Sequence, residues 1–260
     1  MGRLEDKVAI ITGAARGNGA GAARVMAKEG AIVVLTDILD EVHETAKNIR
    51  EQGYQAVSFN MDVTKPPEVN HVVQSVLEQF AKVDILVNNA GVVRVVLLVD
   101  TADEVWDKTF DVNIKGTFIC TKAVLPGMIQ RKYGKIINIS SVTGPLVADA
   151  GHCAYAATKG AVWGFTKALA VEVAQYGINV NAICPGWIET EMVRQSAVET
   201  NPKDPGSVLE QRARGIPMGR LGTTEELGEL VAFLASDESK YITGTPIIID
   251  GGSTLPESGA

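Results

Sequence analysis

Seven short runs rich in β-branched residues, separated by stretches with helical spacing, limit what this chain can fold into more than any other feature. They fall at residues 8–12, 32–36, 56–60, 84–88, 135–140, 179–183 and 246–250. Most are continuously apolar rather than alternating, as strands of a parallel sheet covered on both faces must be. Between them, helical spacing runs over 19–30, 41–52, 68–80, 102–130, 155–176 and 225–235. Regular alternation of strand and helix predicts an α/β architecture: a right-handed, doubly wound parallel sheet of about seven strands with helices on both faces. Gly30 and Gly53 close their helices, and Thr223 and Thr224 lead into Glu225 and Glu226 as a helix start.

With 260 residues and 46% hydrophobic content, the whole chain, 1–260, is expected to form a single domain. The stretch 190–220 fits the alternation poorly. It holds Pro202, Pro205, Gly206, Gly215 and Pro217 among many charges, and reads as a helical insertion with loops, a common form for lids and binding segments. A net charge of -7 argues against a nucleic-acid partner, because phosphate binding needs clustered Lys and Arg. No apolar run approaches the ~20 residues that cross a bilayer, and the opening residues lack the apolar core of a signal peptide. Cys120, Cys153 and Cys184 are widely spaced and read as reduced thiols, so a cytoplasmic setting is expected.

Between the first strand and the first helix lies Thr12-Gly13-Ala14-Ala15-Arg16-Gly17-Asn18-Gly19. Gly13, Gly17 and Gly19 permit a tight turn and let backbone N–H groups reach a pyrophosphate at the positive end of the helix. Such a turn opening the first βα unit belongs to a Rossmann-like dinucleotide site. Asp37 ends the second strand, 24 residues after Gly13, where a carboxylate can accept both ribose hydroxyls of an adenosine. This favours NAD. A 2′-phosphate beside Asp37 would meet like-charge repulsion of roughly 4 kcal/mol for unit charges ~4 Å apart at an effective dielectric of 20. Arg16 pulls toward NADP, which stands as the runner-up.

The turn, together with Asn88-Asn89-Ala90-Gly91, Asn113, Ser141, Tyr155-Ala156-Ala157-Thr158-Lys159 and Pro185-Gly186, resembles the short-chain dehydrogenase/reductase family over essentially the whole chain. The tail, from Asp250-Gly251-Gly252 through Pro256, Glu257 and Ser258, is similar to an enterobacterial branch of it. Two departures stand out. Asn18 occupies a place where the family usually has Ile or Leu, which suggests a turn less tightly packed on the sheet. The interval from Ser141 to Tyr155 is also one residue longer than the commonest spacing.

Tyr155 and Lys159 are four apart and share a helix face. An ammonium ~4 Å from the phenol, at an effective dielectric of 20, would favour the phenolate by about 4 kcal/mol, roughly three pK units. The expectation is therefore a phenol titrating near neutrality, suited to general acid/base work. Ser141 can donate to the same substrate oxygen. The resemblance implies that Lys159 also holds the nicotinamide ribose and that Asn113 anchors a proton-relaying water, though packing alone would also explain Asn113. Asp62 and Val63 are expected beside the adenine. Asn89, Ala90 and Gly91 are expected along the cofactor backbone, and Ile188 and Thr190, after Pro185-Gly186, at the nicotinamide carboxamide. His152 and Trp187 lie near the motif ends and fit either a substrate pocket or ordinary packing.

These residues imply an oxidoreductase moving a hydride between NAD(H) and a secondary alcohol or ketone. Two alternatives remain: an NADPH-dependent 3-oxoacyl-thioester reductase, and a dinucleotide-binding regulator without turnover. The resemblance also implies a homotetramer built partly from the helices around 102–130 and 155–176.

Overall fold

The computed structural model describes residues 2–255. Pro256, Glu257 and Ser258 of the tail lie outside the described residues. The elements follow in chain order as β1 (Val8–Thr12), α1 (Gly17–Lys28), β2 (Ile32–Asp37), α2 (Glu41–Glu51), β3 (Ala56–Asn60), α3 (Pro66–Phe80) and β4 (Ile85–Asn88). Next come α4 (Asp103–Phe110), a π-helical turn (Asp111–Lys115), α5 (Gly116–Arg131), β5 (Gly134–Ile139), α6 (Cys153–Val173) and β6 (Ile178–Pro185). Then α7 (Glu191–Thr200), α8 (Pro205–Arg214), α9 (Thr224–Ala235) and β7 (Pro246–Ile249) complete the described chain.

The strands form one sheet in the order β3-β2-β1-β4-β5-β6-β7, with every neighbouring pair parallel. Successive side chains of a strand point to opposite faces. Ala9 and Ile11 of β1 therefore join one core with Met26, Leu35 and Val231, while Val8 and Ile10 join the other with Val34, Val73 and Met128. Both faces are covered, so a strand that alternated apolar and polar residues would bury unpaired polar groups; the continuous runs avoid that cost. On the first face α1 and α9 approach closely. A Cβ on Gly21 would lie 2.5 Å from Thr224 Cβ, and one on Gly228 2.8 Å from Val25 Cγ2.

The helical stretch expected over 102–130 is interrupted. Residues 111–115 form a π turn, which carries one residue more than an α turn, and Asn113 at its centre is buried. The stretch 190–220 holds α7 and α8, each with a side-chain N-cap: Thr190 accepts from Val193 N and Asp204 from Ser207 N. All strand carboxyl ends share one edge. There the strand order reverses between β1 and β4, leaving a crevice at the switch point.

Candidate functional site

At the crevice, Gly13 and Gly17 adopt positive φ, +65° and +59°. A Cβ on Gly13 would come within 2.8 Å of Ala90 Cα, and one on Gly19 within 2.2 Å of the Gly13 carbonyl oxygen. The turn is thus tightly packed despite Asn18. Its neighbours hold it by hydrogen bonds to its backbone. Asn89 Nδ2 donates to the Thr12 and Gly13 carbonyls, both at 2.9 Å, while the Asn89 and Ala90 N–H groups donate to Thr12 Oγ1 at 3.0 Å. Asp37, partly buried, accepts from Ala15 N (3.0 Å) with one oxygen and from Leu39 N (3.1 Å) with the other. A carboxylate has about four acceptor positions, so two remain for ribose hydroxyls. Arg16 precedes α1 in extended conformation with its side chain exposed.

Asn18 Oδ1 is buried with no hydrogen-bond partner among the described residues. An orphaned buried acceptor costs on the order of 1–3 kcal/mol. Such an atom beside a turn with no room for a Cβ at Gly13 or Gly19 fits a site that a dinucleotide would complete, where Gly13, Gly17 and Gly19 would meet the phosphates and Asp37 the adenosine.

A second group of side chains gathers next to it. Lys159, only 5% exposed, donates from Nζ to the Ile139 carbonyl at 2.8 Å and lies 5.5 Å from the centroid of the Tyr155 ring. A Cβ on Gly91 would stand 3.4 Å from Asn113 Oδ1 and 3.6 Å from Lys159 Nζ, so Gly91, Asn113 and Lys159 converge. Asn113 binds the backbone of Val92 twice, accepting from its N (2.8 Å) and donating to its O (2.9 Å), and donates to Thr158 Oγ1 at 3.1 Å. Thr158 in turn donates to the Tyr155 carbonyl at 2.8 Å. The Asn113 amide therefore ties the loop after β4 to α6.

Electrostatics here differ from the sequence expectation. Burial pushes the Tyr155 phenol above its ordinary value; hydrogen bonding to Ser141 opposes the shift and nearby Cys184 adds to it. Burial lowers Lys159 to about 8, with Cys184 working the other way. The expected near-neutral phenol is absent from the free chain for a physical reason. Burial penalises both charged forms, the phenolate and the ammonium alike, and Lys159 Nζ also donates to the Ile139 carbonyl.

Other anticipated residues take varied positions. The Asp62 carboxylate is engaged by Thr64, through N at 2.9 Å and Oγ1 at 2.7 Å; burial would raise its pKa, but these bonds outweigh it and hold it low. Val63 is buried, 2.6 Å by its Cγ2 from where a Cβ on Gly116 would be. The Pro185 carbonyl accepts from Val142 N, and Gly186 N donates to the Ile249 carbonyl. Ile188 buries its side chain in the core beneath Gly222, with which its backbone forms an isolated parallel bridge. The Thr190 side chain lies 3.6 Å from where a Cβ on Gly17 would stand. His152 meets the Tyr155 ring edge-on, centroids 6.2 Å apart.

Sequence reasoning missed Thr12, whose hydroxyl latches β1 to the loop after β4, and Ser140, whose Oγ donates to the Lys159 carbonyl at 2.8 Å. Adjacency to the glycine turn and to Ser141 was the available signal. It also missed the stacking of Arg212 on Trp187, 4.3 Å from guanidinium carbon to ring centroid, which no local pattern announces.

The chain matches the family model described as Enoyl-(Acyl carrier protein) reductase over residues 13–254. It is 51% identical to Oxidoreductase UcpA of Escherichia coli (strain K12) over 99% of this chain and 98% of that protein. It is 41% identical to 3-oxoacyl-[acyl-carrier-protein] reductase FabG of Thermotoga maritima, over 97% of this chain and all of that one. Among solved structures, levodione reductase superposes with a TM-score of 0.94 at 32% identity, covering 98% of this chain and 100% of the other.

Proposed function

Because this chain belongs to the short-chain dehydrogenase/reductase family, oxidoreductases that bind a nicotinamide dinucleotide and act on small molecules, we propose that it interconverts a secondary alcohol and a ketone with NAD(H), Tyr155 serving as acid and base. What carries this reading is the convergence of Ser141, Tyr155 and Lys159 beside Gly91 at the sheet's carboxyl edge. A bound dinucleotide supplies the hydride in reduction and takes it in oxidation. The protein's part is the proton. A phenol raised above its ordinary value is fully protonated at neutral pH, ready to protonate the carbonyl oxygen as it gains negative charge. Ser141 donates a hydrogen bond to that oxygen. Lys159, with its pKa near 8, exchanges protons close to neutrality and steadies the phenolate that reduction leaves behind. Asn113, through Val92 and Thr158, fixes the spacing between the loop after β4 and α6.

Asp37, with two acceptor positions still open, supports NAD over NADP. The likeness to a 3-oxoacyl-carrier-protein reductase favours a second reading, an NADPH-dependent reductase of 3-oxoacyl thioesters, against which Asp37 weighs. We extend the proposal to a cytoplasmic homotetramer. Val162, Leu169, Ala170 and Val173 of α6 are buried, but Val171 is 82% exposed and Phe118 of α5 47% exposed, which suits a partner's surface. No described helix is long and apolar enough to cross a membrane. Sedimentation should return four times the chain mass of 27.6 kDa.

A screen of ketones and secondary alcohols with both cofactors tests the chemistry. NADH should give at least about tenfold higher kcat/KM than NADPH. Tyr155→Phe should lower kcat by about 10²–10⁴ while leaving dinucleotide affinity nearly unchanged. Reduction should be level across neutral pH, and oxidation, which needs the phenolate, should rise with pH on the alkaline side of neutrality. A preference for NADPH would transfer support to the thioester reading, and full activity in Tyr155→Phe would remove the acid/base assignment.

A further inference from the structure

Asn18 is the second residue of α1 and has a buried amide oxygen that no described residue satisfies. The phosphates of a dinucleotide cannot satisfy it, since they too are acceptors; it needs a donor. Its place along the crevice narrows the choice. Asp37 stands at the adenosine end, whereas a Cβ on the adjoining Gly17 would stand 3.6 Å from the side chain of Thr190, on the segment after β6 that leads from the reacting end. Thr190 Oγ1 accepts from Val193 N as the cap of α7, which keeps its hydroxyl proton, along with one lone pair, for a ligand. One acceptor and one donor thus flank the same end of the site.

We propose that Asn18 Oδ1 accepts a hydrogen bond from the N–H₂ of the nicotinamide carboxamide, opposite Thr190, whose hydroxyl donates to the carboxamide oxygen. The inference rests on the dinucleotide reading given above. It makes Asn18 a cofactor-positioning residue that distinguishes a carboxamide from other groups on the pyridine ring. An apolar side chain at this position can fill the space but cannot make that distinction.

Calorimetric titration of the unaltered protein and of Asn18→Leu with NAD⁺, with its 3-acetylpyridine analogue (N–H₂ replaced by methyl, carbonyl retained) and with ADP-ribose separates the possibilities without measuring turnover. The unaltered protein should bind NAD⁺ about tenfold more tightly than the analogue, the factor expected when a buried acceptor loses its only donor. In Asn18→Leu that ratio should fall to within twofold of one, with ADP-ribose affinity preserved and reporting an intact turn. Thr190→Val should weaken NAD⁺ and the analogue equally, because both keep the carbonyl. An undiminished ratio in Asn18→Leu, with ADP-ribose still bound, would overturn this inference alone. Failure of the unaltered protein to bind ADP-ribose would overturn the dinucleotide reading and this inference with it.

Discussion

The two ends of the crevice are built on different principles. Around the glycine turn, side chains hold backbone: Thr12, Asn89, Asp37 and Thr45 all direct hydrogen bonds at main-chain groups of residues 12–15 or the loop after β4. Past Ser141 the construction loosens. Residues 146–150 are exposed, as are Met192, Val198 and Met218, and α7 and α8 are joined by Arg212, which donates to the Val193 carbonyl and Ser196 Oγ while stacking on Trp187. A ligand common to many proteins can be recognised by a rigid, prebuilt backbone. A particular substrate has to be recognised by side chains on segments that tolerate change.

The sharpest way to break this contrast is Gly19→Ala. Its new Cβ would stand 2.2 Å from the Gly13 carbonyl oxygen and 2.6 Å from Asn89 Nδ2, so the turn must shift or the helix must retreat. We expect at least about a hundredfold loss of dinucleotide affinity by calorimetry, together with a destabilisation of about 1–3 kcal/mol read by denaturant unfolding. Wild-type affinity in this variant would show that the turn is more yielding than its contacts indicate. At the opposite end, Trp187→Ala removes the ring under Arg212 without touching the turn. Its effect should be smaller and selective: KM for the substrate rises about threefold to tenfold, on the scale of losing an exposed cation–π contact, while NAD⁺ affinity stays within twofold. Equal changes in both constants would mean that the two ends are coupled rather than separately built.

The same contrast governs what could be read from the sequence. Strand positions were legible almost to the residue, because continuous β-branched runs have few other uses. Asp84 shows the limit: it reads as the first residue of β4 but precedes it, its carboxylate accepting from Val8 N at 3.0 Å. The glycine turn was legible because positive φ and excluded Cβ atoms are local demands. What escaped was set by contacts distant in sequence. The Ile139 carbonyl that accepts from Lys159, the Val92 backbone that engages Asn113 and the π turn beneath it all depend on how strands and helices meet.

The π turn at 111–115 also bears on how the chain can change length. Regularising it by removing one residue would advance everything on one side by about 100° of helical rotation relative to the other. Either α4 would swing its core-facing Thr109 toward solvent, or α5 would do the same with Ile119, Cys120 and Val124. A residue gained or lost among 144–150 is absorbed at the surface; one lost here would misalign two helices at once. Descendants of this chain should therefore vary in length at the first place and hold it constant at the second.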